Sequence, residues 1–392
     1  MSVWKECTIA DLGTVVGGAT PSTKDSANYD NGTIAWLTPK DLSGYQGRYI
    51  SHGERNITEK GLRSCSTQLM PKHTVLFSSR APIGYVAIAE SELCTNQGFK
   101  SVIPNVNTDY LFLYYLLKNN KDAIENMGSG TTFKEVSGNT MRGIRVRVPS
   151  DIETQRRIAG ILGSIDDKIE QNIAINNNLL EQARAIFESE FLSHDSLPCG
   201  WTKGNLTTIA NYLNGLAMQK FRPSPEETGI PVLKIKELRQ GFCDSDSELC
   251  SPSIKSEYII ADGDVIFSWS GSLLVDFWCG GRCGLNQHLF KVTSNDYDPW
   301  FYFAWTNHHL SKFVAIAADK ATTMGHIKRE DLVKSEVVIP SKEDYERIGA
   351  ILAPMYELIV SNRLENKKLS ALRDSILPRL MNGELDVSEV EI

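Results

Sequence analysis

The sequence predicts an α+β protein. Two mixed α/β domains of one plan are separated by two long helices that pair antiparallel as a rod, and the plan is written twice. Three observations carry this. First, Arg157-Ile158-Ala159-Gly160-Ile161-Leu162 returns as Arg347-Ile348-Gly349-Ala350-Ile351-Leu352, an offset of 190. Val75-Leu76-Phe77-Ser78 returns as Val265-Ile266-Phe267-Ser268, and Asn96-Gln97 as Asn286-Gln287, at the same offset. That period is far beyond the roughly 20–50 residues of a solenoid unit, so a whole domain with its helix is duplicated. Second, short β-type runs bounded by Gly, Pro, Asn and Asp fill residues 1–149 and again 196–340. Third, each of these segments is followed by a long run of apolar residues at helical, near-heptad spacing.

The elements follow in order. Ile34–Leu37, Thr74–Phe77 and Tyr85–Ala89 read as strands in the first domain, 1–149, with Val232–Ile235 and Asp264–Phe267 as counterparts in the second, 196–340. An amphipathic helix is predicted at about 108–126 and 298–317. Each domain closes on a strand and a Pro-Ser pair, Ile144–Val148 before Pro149-Ser150 and Val337–Ile339 before Pro340-Ser341. Ser150 with Glu153, and Ser341 with Asp344, have the spacing of a capping box. The first long helix and its linker occupy 150–195, with apolar positions from Ile152 to Phe187. The second, with a tail, occupies 341–392. Two matched helices on one chain can cover each other, giving an intramolecular rod. Packing on their own domains, or dimerisation, are the alternatives. Pro354 has Ser164 as its counterpart and should kink the second helix or shift its start. Ser193–Gly200 reads as the linker between repeats, and Asn382-Gly383 as the end of the last helix.

Hydrophobic residues at 41% and charged residues at 23% are ordinary for a globular protein of this length. No apolar run approaches the ~18 residues of a membrane span. The first residues lack the basic and apolar regions of a signal peptide. The eight cysteines contain no CxxC pair. A zinc site drawn from Cys243, Cys250, Cys279 and Cys283 lacks the usual spacing, and reduced thiols are the simpler reading. A cytoplasmic protein is expected. The net charge of −7 divides as +3 for 1–150, −5 for 151–195, −2 for 196–339 and −3 for 340–392. Negative charge therefore gathers on the helices. Near-neutral domains on acidic helices are compatible with DNA, because phosphate affinity depends on local Lys and Arg placement.

Catalytic signatures are missing. There is no Walker A sequence, no HExxH and no Asn/Asp-Pro-Pro-Tyr/Phe loop of amino-methyltransferases. The seven histidines, His52, His73, His194, His288, His308, His309 and His326, do not recur in matched positions and are expected in loops or core. No catalytic residue, metal or cofactor is expected.

The chain resembles the specificity subunit of type I restriction–modification enzymes over its full length. The resemblance rests on Gly17-Gly18-Ala19-Thr20-Pro21-Ser22-Thr23 after Trp4 and Leu12, Val75–Ser78 with Asn96-Gln97, and Gly128-Ser129-Gly130-Thr131-Thr132. Ile339-Pro340 and the helix start from Gln155 to Asp166 add to it, as do Leu197–Trp201 and Arg379–Leu385. It implies two target-recognition domains held apart by the helices, a non-catalytic role, and recognition of a bipartite, asymmetric double-stranded DNA site. Docking of two methyltransferase subunits and a restriction–translocase subunit is also implied. In the second repeat Leu213–Lys220 replaces the Gly-Gly-x-Thr-Pro-Ser-Thr loop, which implies that the two domains read different sequences. A protein-only coiled-coil adaptor and a self-contained methyltransferase or nuclease are the alternatives.

Base readout needs Arg, Lys, Asn, Gln, Ser or Thr on loops that reach groove edges. In the first repeat this selects Thr20, Ser22, Thr23, Lys24, Lys40, Ser79, Arg80, Thr131, Thr132 and Lys134. In the second it selects Lys220, Lys234, Lys236, Arg239, Trp269, Ser270, Thr322, Thr323, His326, Lys328 and Arg329. Because Asn96-Gln97 and Asn286-Gln287 recur, a shared structural hydrogen-bond role is expected of them before base contact. Trp36 and Trp269 are expected to pack rather than stack on bases.

Overall fold

The computed structural model describes residues 3–80, 82–130, 134–319 and 325–388. The chain forms two compact units, Met1–Glu170 with Lys368–Ile392, and Gln171–Lys367.

In the first unit the strand Trp4–Thr8 pairs antiparallel with Arg145–Pro149, Trp4 opposite Pro149. A five-stranded sheet runs in the order Gly13–Gly17, Lys100–Pro104, Val75–Ser79, Ile83–Ala89, Tyr49–Ile50. Every residue of Val75–Ser79 is buried, which fits the unbroken apolar run Val75–Phe77, and the Ser78 and Ser79 hydroxyls bond Pro82 O and Gly98 O. A smaller sheet orders Arg55–Ile57, Ile34–Leu37 and Cys94–Thr95. Asp109 caps the helix Tyr110–Asn119, its carboxylate accepting the Phe112 N–H at 2.8 Å. Phe112, Leu113, Tyr115 and Leu116 carry this helix into the core that also holds Val75, Phe77, Ile158 and Leu162. Full burial of each such side chain stabilises by roughly 1.5–3 kcal/mol.

The second unit repeats the plan. Thr202–Asn205 pairs with Glu336–Ile339. One four-stranded sheet orders Asn211–Asn214, Leu289–Thr293, Val265–Ser268 and Leu274–Phe277. The other orders Leu249–Cys250, Ile230–Leu233, Cys283–Leu285 and Ile259–Ile260. The helix Pro299–His308 fills the core with Trp300, Phe301, Phe303 and Trp305.

Two long helices, Ile152–Phe187 and Lys342–Met381, each contribute to both units. Within the first unit Ile158 and Leu162 share a core with Leu377 and Leu380. There Asp166 accepts from Arg373 at 2.6 Å and from the Tyr115 hydroxyl at 2.6 Å. Within the second unit Phe187 and Ala183 share a core with Ile348, Leu352 and Ile359. Asn362 donates to Asn176 at 2.9 Å, and Asn172 donates to Asn366 at 2.8 Å and to Glu365 at 2.7 Å. Rising numbers meet falling ones, so the helices pair antiparallel in each unit, as their spacing predicts.

Three local expectations change. The first long helix is capped by Asp151, whose carboxylate accepts the Thr154 N–H at 2.7 Å, while the Ser150 N–H bonds Val3 O at 2.8 Å and Ser150 serves the strand pair. The second helix keeps its Ser341 cap, runs to Met381 and passes unbroken through exposed Pro354, so its start is not shifted. The amphipathic helix of each domain is two helices. Tyr110–Asn119 gives way to Lys121–Asn126 at Asn120, whose side-chain amide donates to Leu116 O at 2.8 Å, and Pro299–His308 gives way to Leu310–Asp319.

Candidate nucleic-acid interface

In each unit four loops meet at one place. In the first, Asn96 donates its N–H to Leu37 O at 2.8 Å and accepts the Gly98 N–H on its side-chain oxygen at 2.8 Å. In the second, Asn286 donates to Leu233 O at 3.2 Å and accepts the His288 N–H at 3.1 Å. The shared structural role expected of the asparagines is thus visible as the same Asx turn, twice. A glycine from the first loop lies against each asparagine. A Cβ on Gly18 would come within 2.3 Å of Asn96 O, and one on Gly215 within 2.2 Å of Asn286 O. The replaced loop of the second repeat has therefore kept its glycine and changed the residues after it. The two remaining loops join by matching bonds, Val136 N–H to Ser79 O at 3.0 Å and Ile327 N–H to Trp269 O at 3.1 Å.

The side chains around these equal frames differ. In the first unit Glu135 stands 3.3 Å from the Lys100 ammonium and 3.7 Å from the Arg80 guanidinium. Thr20 donates to the Gln97 side-chain oxygen. In the second unit the Trp269 indole donates to Asn214 at 3.1 Å and its ring contacts Phe290, His288 and His326. The His288 ring is held by Ser270 at 3.0 Å, with Gln287 beside its other nitrogen at 3.4 Å. One junction is ionic and the other is built of imidazoles, a hydroxyl and an indole.

The residues selected from sequence divide accordingly. Thr20 and Arg80 meet at the first junction, with Lys134 exposed next to Glu135, and Trp269 and His326 meet at the second. Ser79 and Ser270 are corrected. Both are buried, Ser79 at 0% and Ser270 at 4% exposure, with hydroxyls bonded to Gly98 O and His288, so they frame the loops. Trp36 is buried with its N–H on Ala19 O at 3.0 Å, and Trp269 is half-buried among rings, so both pack as expected. Ser22, Thr23 and Lys24 lie on an exposed loop anchored by Asn28 and Tyr29, which hold Ser22 O and Pro21 O. Lys40, Lys234 and Lys236 are paired with Glu54, Glu248 and Asp244 at 2.8, 3.1 and 2.9 Å. The hydrogen bond from Lys236 draws Asp244 down to about 2. Arg239 reaches Ser272 at 3.4 Å. Lys220, Lys328 and Arg329 are exposed with no ion pair among the described residues. Thr131, Thr132, Thr322 and Thr323 lie outside the described residues.

Sequence reasoning missed Lys100, Glu135, Asn214 and His288. Glu135 comes to Lys100 where its loop joins the Ser79 loop, a long-range contact that leaves no local signal, whereas the recurrence of Asn-Gln already pointed to the junction.

Each unit also has a depression between the start of its long helix and the start of its amphipathic helix. In the second it is a cavity of about 540 Å³ lined by Asp298, Trp300, Tyr345, Gly349 and Tyr356. In the first it is one of about 370 Å³ lined by Asp109, Leu111, Arg156 and Ala159, which correspond to Asp298, Trp300, Glu346 and Gly349 in the second. No helix among the described residues is long and apolar enough to cross a membrane.

Residues 1–181 and 198–372 match the model of the type I restriction modification DNA specificity domain. The chain is 33% identical to the type I restriction enzyme MjaIX specificity subunit of Methanocaldococcus jannaschii, over 99% of this chain and 94% of that one. It is 20% identical to the HindI specificity subunit of Haemophilus influenzae, over 98% and 100% respectively. In fold it is similar to a solved type I restriction–modification S subunit from M. genitalium, with a TM-score of 0.60, 15% identity, and coverage of 97% of this chain and 96% of that one.

Proposed function

This chain belongs to the specificity subunits of type I restriction–modification systems, and from that premise we propose how it works. It is the non-catalytic DNA-recognition subunit of a cytoplasmic complex whose methyltransferase and endonuclease activities reside in partner subunits. It reads a bipartite, asymmetric site in double-stranded DNA, one half with residues 1–149 and the other with 196–340. The observation that carries this is the pair of loop junctions with equal backbone frames and unequal side chains. Equal frames present loops to the same kind of ligand, and unequal side chains select different sequences on it. The matched depressions at the two helix starts supply two equivalent seats, which fits two methyltransferase subunits on one chain. A restriction subunit completes the assembly.

The test is methylome sequencing of a host that carries this chain with its methyltransferase. A motif of two short sequences with a fixed gap is expected, with no methylation from the chain alone. In the complex, Arg80→Ala should relax one half of the motif and His326→Ala the other, a lost base contact costing ~1–3 kcal/mol. Methyl transfer by the purified chain, or a change in both halves from either substitution, would overturn the proposal.

A further inference from the structure

We infer that Gln97 and Gln287 are the residues that grip the DNA backbone, one in each half-site, while base selection belongs to the unmatched side chains around them. The inference rests on the function proposed above and adds a division of labour within each junction.

The chain is its own two-sequence comparison. A residue of one type set at the same backbone position in both domains cannot distinguish two different half-sites, so its task must be common to them. The feature that two unlike duplex sequences share is the phosphate backbone. Each glutamine comes directly after the asparagine whose backbone and side chain are fixed in the Asx turn, so its position is set by the frame. Gln97 is exposed and Gln287 half-exposed. A phosphate oxygen accepts only, so a ligand for it must donate. Gln97 uses its amide oxygen on Thr20, which leaves both N–H groups. Gln287 places its amide nitrogen beside His288, which leaves one N–H. The surrounding positions are not shared. Arg80, Lys100 and Glu135 stand in one unit, and Trp269, His288 and His326 in the other. Glu135 can accept from a cytosine amino group while Arg80 donates to guanine, whereas the second unit sets an indole and two imidazole rings at the same place.

The experiment uses the assembled methyltransferase complex, a duplex bearing its methylated motif, and a scrambled duplex of equal length. Gln97→Ala and Gln287→Ala should each weaken binding about three- to ten-fold, the effect of one neutral hydrogen bond. The loss should be equal on both duplexes, with the methylated motif unchanged. Gln97→Glu should lose more, and the excess should shrink as salt rises, because a carboxylate facing phosphate is repelled and salt screens it. Glu135→Gln should instead change the motif in one half and raise affinity for scrambled DNA, since it removes a negative charge beside Lys100 and Arg80. Thermal melting of each variant confirms an intact fold. A changed motif after Gln97→Ala, or no loss of affinity for either glutamine, would overturn the inference. Should the unsubstituted complex show no two-part preference, the proposed function fails, while the equal losses at Gln97 and Gln287 still decide this point.

Discussion

The two units tie sheet to long helix in opposite senses. In the first, the arginine comes from beside the sheet. Buried Arg48 donates to both oxygens of Glu170 at 3.0 Å, contacts Asp167, and reaches Gly163 O at 3.4 Å, all on the first long helix. In the second, the arginine comes from the helix. Arg363 donates to Asp276 at 2.7 Å and to Phe277 O at 3.2 Å, on a sheet strand. The cores differ likewise. Tyr115 bonds Asp166, which bonds Arg373, where the second unit sets Phe303 tilted against Phe277 with centroids 4.4 Å apart and Tyr356 against both. The units share backbone geometry: the order of the first four strands of the larger sheet, the Asx turns and the glycine contacts. Duplication fixed the frame, and the chemistry that fills it was left to diverge.

That contrast can be broken most severely at the shared frame. Gly18→Ala or Gly215→Ala would drive a Cβ to about 2.1–2.2 Å from backbone oxygens of Thr95 or Asn286, atoms that cannot rotate aside. A loss of about 3 kcal/mol is expected, at the upper end for overpacking, in whichever unit carries the change. Urea unfolding followed by probes in each unit would show it, and an equal loss in both units would deny that the frames are independent.

The opposed arginines come next. Arg48→Ala and Arg363→Ala should each cost about 2 kcal/mol in their own unit. The acids they leave are partly exposed, Glu170 at 33% and Asp276 at 33%, so water replaces part of the lost interaction and the larger penalty of a fully buried orphan charge does not apply. Losses above about 4 kcal/mol would show that these acids are effectively dry.

The smallest effect tests the helix pair. Asn176→Leu leaves the buried amide of Asn362 without its acceptor and should cost about 1–2 kcal/mol. Asn176→Leu with Asn362→Leu should recover most of that loss, since two apolar groups need no partner. If the double variant is as unstable as the sum of the singles, the asparagines are not acting as a pair.

Much of this was legible in the residues. The 190-residue offset exposed the repeat, and Thr74–Phe77 and Asp264–Phe267 read as β-type runs that the strands Val75–Ser79 and Val265–Ser268 largely contain. The long helices were evident from their stripes. The site was half legible. Recurrence marked Asn96-Gln97, but Glu135 beside Lys100 is made by a loop meeting a strand end 35 residues earlier in the chain, and sequence periodicity carries no long-range contact. Ser79 looked like a contact because hydroxyls suit bases, and only the position of Gly98 O shows that its hydroxyl is already occupied. Asp151 displaced Ser150 as cap because the preceding strand claims the Ser150 backbone one residue longer than the Pro-Ser pair implied.

The asparagine quartet between the long helices obeys the repeat. Advancing Asn172 and Asn176 by 190 gives Asn362 and Asn366, so the pairs 172 with 366 and 176 with 362 exchange into one another when the repeats are swapped. This is the self-complementary contact of a two-fold dimer, enclosed within a single chain. A true dimer carries every mutation twice, once in each identical copy, and so stays symmetric. Here Glu365 adds a bond to Asn172, while its counterpart is Ile175, partly exposed and apolar. Fusion has made each half free to change alone, which is the condition for one molecule to recognise two sequences that are not each other's inverted copy.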